Sequence, residues 1–132
     1  MNSCALCGGH TRHEPRKRMI GYRGHNITID QPAYYCDSCG EAFLTHNDSK
    51  TTEKEITDFK RNVDHLLTSE QIKQIRKKAK ITQKEAGELF GGGVNAFSRY
   101  ERGEAIQSKS TDVLLRLIEQ QKVKVQDIRA VV

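Results

Sequence analysis

Two periods of apolar residues run through this chain. In the first third, polar and apolar residues alternate along Asn26–Asp30, and Tyr22, Ile27, Ile29, Tyr34 and Tyr35 are strand-favouring types. Met19–Tyr35 is therefore expected to form two or three short antiparallel strands, with turns near Gly24-His25 and Gln31-Pro32. From Asp48 onward the period lengthens to that of a helix. Asp48 is the expected cap of a helix whose Ile56, Phe59, Val63, Leu66 and Leu67 form one apolar face against the sheet. Lys60 and Arg61, flanked by Glu55 and Asp58, are expected on its outer side.

Leu67-Thr68-Ser69 marks a boundary, and Ser69 is the expected N-cap of a helix reaching Lys80. Ile72, Ile75 and Ala79 would face inward there, leaving Lys73, Arg76, Lys77, Lys78 and Lys80 on the surface. Thr82 begins the next helix, with Glu85 at the capping-box position and Ala86, Leu89 and Phe90 in the core. Gly91-Gly92-Gly93 makes a turn, and a further helix over Val94–Arg102 would bury Val94, Phe97 and Tyr100 and close at Gly103. Ser110 or Thr111 then caps a helix through Gln121 whose apolar residues are Val113, Leu114, Leu117 and Ile118. The last stretch carries Val123, Val125, Ile128, Val131 and Val132, more than a free tail needs. It either packs under the preceding helices or meets a second copy of the chain.

Two short helices broken by a glycine turn are the layout of a helix-turn-helix, whose second helix lies in the DNA major groove. The face of Val94–Arg102 opposite its apolar stripe carries Asn95, Ser98, Arg99 and Arg102. Asn95 and Arg99, four residues apart, project from one strip of helix. Asn pairs naturally with adenine and Arg with guanine, so these two are the candidate base readers. Ser98 and Arg102 are candidates for phosphate or minor contacts. Gln83, the first residue of its helix, and Lys78 are candidates for phosphate contact. The bland alternatives are a helix-cap role for Asn95, an ion pair of Arg99 with Glu101 or Glu104, and a solvated face for the lysines.

All four cysteines lie in the first 39 residues, as Cys4-Ala-Leu-Cys7 and Cys36-Asp-Ser-Cys39, each pair followed by a glycine, Gly8 or Gly40. A C-x2-C turn brings two thiolates to adjacent corners of a tetrahedron, and the glycine lets the backbone bend back with positive φ. Two such knuckles make Cys4, Cys7, Cys36 and Cys39 a closed set of ligands for a structural Zn2+. A redox pair or two disulfides are the alternatives; no thioredoxin-like βαβ pattern accompanies the motif. A sheet this small has little core, so the metal would supply much of its folding energy. His10 is the candidate among the histidines to substitute as a ligand. Arg12–Arg18 (RHEPRKR) reads as a basic loop, either solvated or touching an acidic partner or nucleic acid.

The 132 residues carry a net charge of +5, with 36% hydrophobic and 30% charged residues. That suits one or two small domains with much solvated surface and is compatible with a polyanionic partner. No apolar run approaches the roughly 18 residues of a membrane span, and the N-terminal stretch has no apolar signal region. A cytoplasmic, nucleoid-associated protein is the expectation. No Ser/His/Asp set or carboxylate pair stands out, so no enzyme is expected; a zinc hydrolase would need an open coordination position.

The stretch TQKEAGELF…FSRYERG resembles the Xre/Cro-type helix-turn-helix pattern. GGGVNAFSRYERG, together with the N-terminal C-x2-C pairs, resembles the MqsA (YgiT-type) antitoxins over nearly the whole chain. The resemblance implies an α+β protein of two domains. Residues 1–67 would form a small zinc-bound antiparallel sheet plus helix that binds a toxin, an mRNA endoribonuclease. Residues 68–132 would form an all-α Xre/Cro-like helix-turn-helix domain that dimerises and binds a palindromic operator in double-stranded DNA. By the same resemblance the zinc is structural, Asn95 and Arg99 read bases, and the protein represses its own operon. The family often has a proline soon after the recognition helix; Gly103–Lys109 has none. The rival reading is a zinc-containing regulator of the same helix-turn-helix type with no toxin partner.

Overall fold

The computed structural model describes residues 1–132. An antiparallel three-stranded sheet comes first, in the order β1 (Thr11–Tyr22), β2 (His25–Cys36), β3 (Ala42–Phe43). The helices α1 (His46–Val63), α2 (Ser69–Lys78), α3 (Gln83–Phe90), α4 (Ala96–Arg102), α5 (Lys109–Glu119) and α6 (Val125–Arg129) follow. The α+β class expected from the sequence is the one observed. The chain divides into two compact units, Met1–Ile56 and Thr57–Val132.

In the first unit, β1 and β2 form a hairpin closed by Arg23 and Gly24, both at positive φ (48° and 80°). Such a two-residue turn matches the twist of the strands it joins. The expected turn at Gln31-Pro32 is absent: β2 runs through it, with Pro32 opposite Pro15. Hydrogen-bonded and non-hydrogen-bonded pairs alternate from the turn-closing pair Tyr22–His25. By that alternation Pro15 and Pro32 meet at a non-hydrogen-bonded pair, where the β1–β2 ladder requires no N–H from either. The basic run Arg12–Arg18 is likewise strand, not loop. Its cations are engaged: Arg12 donates to Asp37 (3.1 Å), Arg16 to Glu14 (2.8 Å), Arg18 to Gln31 (3.3 Å), and Lys17 pairs with Asp30 (2.7 Å).

Thr45, not Asp48, caps α1. The Thr45 N–H donates to Asp48 Oδ2 (2.9 Å) and the Asp48 N–H to Thr45 Oγ1 (3.1 Å), a reciprocal capping box. The side chains that α1 buries are polar: Asp48, Thr52 and Arg61, whereas Ile56, Phe59 and Val63 are only half-buried. In the first unit, buried Gln31 donates to the Asp48 carbonyl (3.0 Å) and accepts from Thr52 Oγ1 (2.9 Å). His13 Nε2 lies 2.8 Å from Asp48 Oδ1. The division between units falls inside α1, upstream of the 67/68 boundary read from the sequence. Thr57 and Arg61 explain this, since both bond to the segment after α4.

The second unit packs its helices around Leu67, Ile72, Ile75, Ile81, Ala86, Phe97 and Leu115. Phe97 packs with its ring tilted against Phe90 (centroids 5.6 Å apart) and edge-on to Tyr100 (5.3 Å). The Thr82–Glu85 capping box forms as expected. Thr68, not Ser69, caps α2, with Gln71 reciprocating, and Ser108 caps α5. Val94 lies outside α4 and is half exposed (50%). In α5 the inward residue is Leu115, while Val113 is exposed. Five apolar residues crowd positions 113–118, so the period alone could not pick the buried stripe. Ile128 packs into the unit with Val125 beside the core, but Val131 and Val132 are exposed.

Asp112 ties this unit together. Its carboxylate accepts from the Leu67 N–H (2.8 Å), Gln107 Nε2 (3.0 Å) and Arg116 Nε (2.8 Å). Burial pushes its pKa up, but those three donors outweigh burial and the net shift is downward. A depressed folded-state pKa means stability that is present above the unfolded value of about 4 and lost as pH falls through the folded one. Asp112→Asn should therefore lower the Tm at neutral pH. It should also flatten the fall of Tm with acidification below about pH 4 relative to the wild type, as followed by thermal melts.

Candidate functional site

The four cysteine sulfurs of the first unit lie within 4.8 Å of one another. Cys4 and Cys7 come from the loop before β1; Cys36 ends β2, and Cys39 lies in the turn that follows. Both turns fold as the spacing requires. Gly8 (φ 76°) donates to the Cys4 carbonyl (2.9 Å) and Gly40 (φ 74°) to the Cys36 carbonyl (3.1 Å). Backbone N–H groups point at sulfur: Leu6 at Cys4, Gly9 at Cys7, and Ser38 and Cys39 at Cys36, each at 3.4 Å. Gly9 is a requirement that the motif does not announce, because a Cβ there would lie 2.6 Å from Ser38 Oγ and 3.1 Å from Cys36 Sγ.

All four cysteines are free thiols. Sγ–Sγ separations of 3.7 Å (Cys4–Cys39) and 3.4 Å (Cys7–Cys36) far exceed a disulfide bond. They are close to the edge of about 3.8 Å of a tetrahedron with metal–sulfur bonds near 2.3 Å. The donor set thus fits one tetrahedrally coordinated metal ion. The Cys39 N–H lowers the Cys36 pKa; burial opposes it, the Ser38 N–H and the Cys7 thiol add to it, and the net value is about 6. Cys39 goes the other way, to about 12: the Glu41 backbone favours its thiolate, but burial and the neighbouring sulfurs outweigh that. The cluster therefore forms one thiolate readily and resists forming more until a cation arrives. No histidine belongs to it: His10 pairs with Asp37 (3.3 Å) and His13 with Asp48.

In the second unit, α3 and α4 are joined by Gly91, Gly92 and Gly93, at φ of 91°, 92° and 88°. A fourth glycine is needed for the joint: a Cβ at Gly87, inside α3, would collide with the Gly93 carbonyl oxygen. Asn95 occupies the N-cap position of α4, yet its side chain makes no capping hydrogen bond. Asn95 and Arg99 are both exposed. Neither expected partner of Arg99 holds it. Glu101 is buried and takes a two-pronged pair from Arg76 (2.8 and 2.9 Å), and Glu104 pairs with Arg102 (3.0 Å). Ser98 is half-buried, Arg102 and Lys78 are exposed, and the Gln83 amide donates to Glu101 (3.3 Å). Arg76, counted from the sequence among the surface cations of α2, instead locks α2 to α4 and also caps the Ile81 carbonyl (3.0 Å).

The family described as the antitoxin component of bacterial toxin–antitoxin systems, MqsA, matches residues 1–129. The antitoxin MqsA of Escherichia coli (strain K12) is 41% identical over 96 residues, covering 72% of this chain and 73% of that protein.

Titration with Co2+ should load one ion per chain, with the intense thiolate charge-transfer absorption of a four-sulfur tetrahedral site. Loading should release protons and tighten as pH rises from about 6, because thiols must ionise to bind. Cys36→Ser should weaken uptake; uptake indifferent to that substitution would contradict the cluster.

Proposed function

The chain belongs to the MqsA antitoxin family, and from that premise we propose that it neutralises a cognate RNase toxin and represses its own operon by binding operator DNA. The first unit, Met1–Ile56, carries the toxin-binding role, and the second, Thr57–Val132, binds DNA and dimerises. Cys4, Cys7, Cys36 and Cys39 hold a Zn2+ whose role is structural: four thiolates fill a tetrahedron and leave no position for a reacting water. The protein works by occupancy of its partners, not by chemistry.

The observation that carries the DNA half of this reading is the state of Asn95 and Arg99. Both are exposed, Asn95 at the N-cap of α4 and Arg99 one turn further along it. Every carboxylate near enough in sequence to neutralise Arg99 is engaged elsewhere. An uncapped amide beside an unpaired guanidinium matches the donor and acceptor pattern of base edges in the major groove. Ser98, Arg102, Lys78 and Gln83 are the proposed phosphate contacts, for which Arg102 would have to release Glu104 and Gln83 would have to release Glu101. A palindromic operator requires a two-fold dimer. Val113, Val131 and Val132 are the exposed apolar residues of the C-terminal segments that a partner copy would cover. No helix is long and apolar enough to cross a membrane, which accords with a cytoplasmic, nucleoid-associated protein.

Fluorescence anisotropy with a duplex from the chain's own promoter tests this reading. Asn95→Ala and Arg99→Ala should each weaken binding by about 1–3 kcal/mol with unchanged circular dichroism. The wild-type affinity should fall steeply with salt. Normal operator binding by both variants would overturn the assignment of α4 as the reading helix.

A further inference from the structure

Arg61 stands apart from every other cation in the chain. Sequence pattern puts it on the outer side of α1, yet its side chain is completely buried (0% exposed). Each of its five N–H groups finds an acceptor within the second unit. Nε donates to Gln107 Oε1 (3.0 Å), Nη1 to Asp58 Oδ1 (3.0 Å) and Ser69 Oγ (3.2 Å), and Nη2 to the carbonyls of Tyr100 (3.0 Å) and Ala105 (2.8 Å). Its partners are themselves anchored. Asp58 accepts from Ser69 N (2.8 Å) and Ser69 Oγ (2.6 Å), and Gln107 donates to the Leu67 carbonyl (2.9 Å). One turn earlier on α1, Thr57 Oγ1 donates to the Gly103 carbonyl (2.8 Å).

Three of these acceptors, Tyr100, Gly103 and Ala105, lie at the end of α4 or just beyond it. A helix of seven residues has little stability of its own and takes its direction from what holds its ends. At its start, α4 is set by the glycine turn and by Phe97. At its end, it is set from α1 by Arg61 and Thr57 and from α2 by the Arg76–Glu101 pair. Such a helix is about 10 Å long, so a tilt of about 10° at one end moves the other by roughly 2 Å. A bidentate contact to a base edge does not survive that displacement.

We propose that Arg61 is a positioning residue for base reading: without touching Asn95 or Arg99, it fixes the end of α4 so that both present to the groove in register. The proposal rests on the reading of α4 given above. It also places the last turns of α1, from Thr57, with the DNA-reading unit. Lysine cannot replace arginine here, because an ammonium has three donors and no planar fork to reach acceptors on both sides.

The test uses the full-length, metal-loaded chain and two duplexes of equal length, the native operator and one with scrambled half-sites, at one salt concentration. The quantity read is the ratio of the two affinities. Arg61→Lys should lower that ratio by about tenfold while binding to the scrambled duplex stays within about twofold, since the phosphate contacts are kept. In an Asn95→Ala background the further loss should shrink to about threefold or less, because both changes strike one contact. A merely structural role would weaken both duplexes together and multiply with Asn95→Ala. Thr57→Val removes a bond to the same end of α4 with little change of shape, and should lower the ratio by about threefold. Equal loss on both duplexes, full multiplication with Asn95→Ala, or an unchanged ratio in Arg61→Lys overturns the proposal. If Arg61→Lys does not fold, an unchanged ratio in Thr57→Val overturns it. Failure of the wild type to discriminate between the duplexes would instead sink the base-reading assignment, and the proposal with it.

Discussion

A guanidinium stripped of water must find a protein acceptor for each of its N–H groups, or the burial costs several kcal/mol. Arg61 meets that demand with a carboxylate, a side-chain amide, a hydroxyl and two backbone carbonyls. The acceptors come from α1, the start of α2, the end of α4 and the loop beyond it. Satisfying one cation therefore fixes four stretches of chain at once. Geometry this demanding tolerates little drift, because a carbonyl that moves away leaves a buried donor unpaired. Asp112 repeats the logic with the opposite sign, holding the Leu67 N–H, Gln107 and Arg116 around one carboxylate. The apolar cluster around Phe97 supplies the driving force for the second unit; the two buried charges restrict which arrangement that force can produce.

The first unit solves a different problem. Its sheet has a two-residue third strand, and only Ile29, Ala33 and Tyr35 join Cys4 and Cys36 as its buried apolar residues. So small a core is marginal without a covalent or metal staple. The two C-x2-C turns supply one by drawing the loop before β1 and the turn after β2 to a common point. A metal ion there would join the start of the hairpin to its finish, where loop closure would otherwise be lost first. The polar contacts of Gln31 with Asp48 and Thr52 do for the start of α1 what apolar packing does in larger sheets.

What the sequence disclosed and what it hid follow from the range of the interactions concerned. The thiol cluster, the glycines Gly8 and Gly40, the triple-glycine turn and the Thr82–Glu85 box were all legible, because each is set by backbone chemistry within a few residues. The first part of β1, through Arg18, was hidden because its pattern is charged instead of apolar, and the charges are paired across the sheet and along the strand. Arg61 and Arg76 were hidden for a related reason. A basic residue on a helix is normally solvated, and only the fold brings Glu101, Gln107 and the carbonyls after α4 within reach. Leu115 was masked by its apolar neighbours, and Val94 was counted as helix although the third glycine delays the start of α4. Asn95 and Arg99 could be nominated from spacing; that their side chains are uncommitted could be learned only from the structure.

We propose α4 as the reading helix and Arg61 as the fixed point behind it. A crystal structure of the full chain on its operator duplex tests both together. The predicted result has Asn95 and Arg99 within about 3 Å of base edges in the major groove, with Arg61 still buried on its five protein acceptors. An α4 lying outside the groove, or an Arg61 turned out to a phosphate, would contradict it.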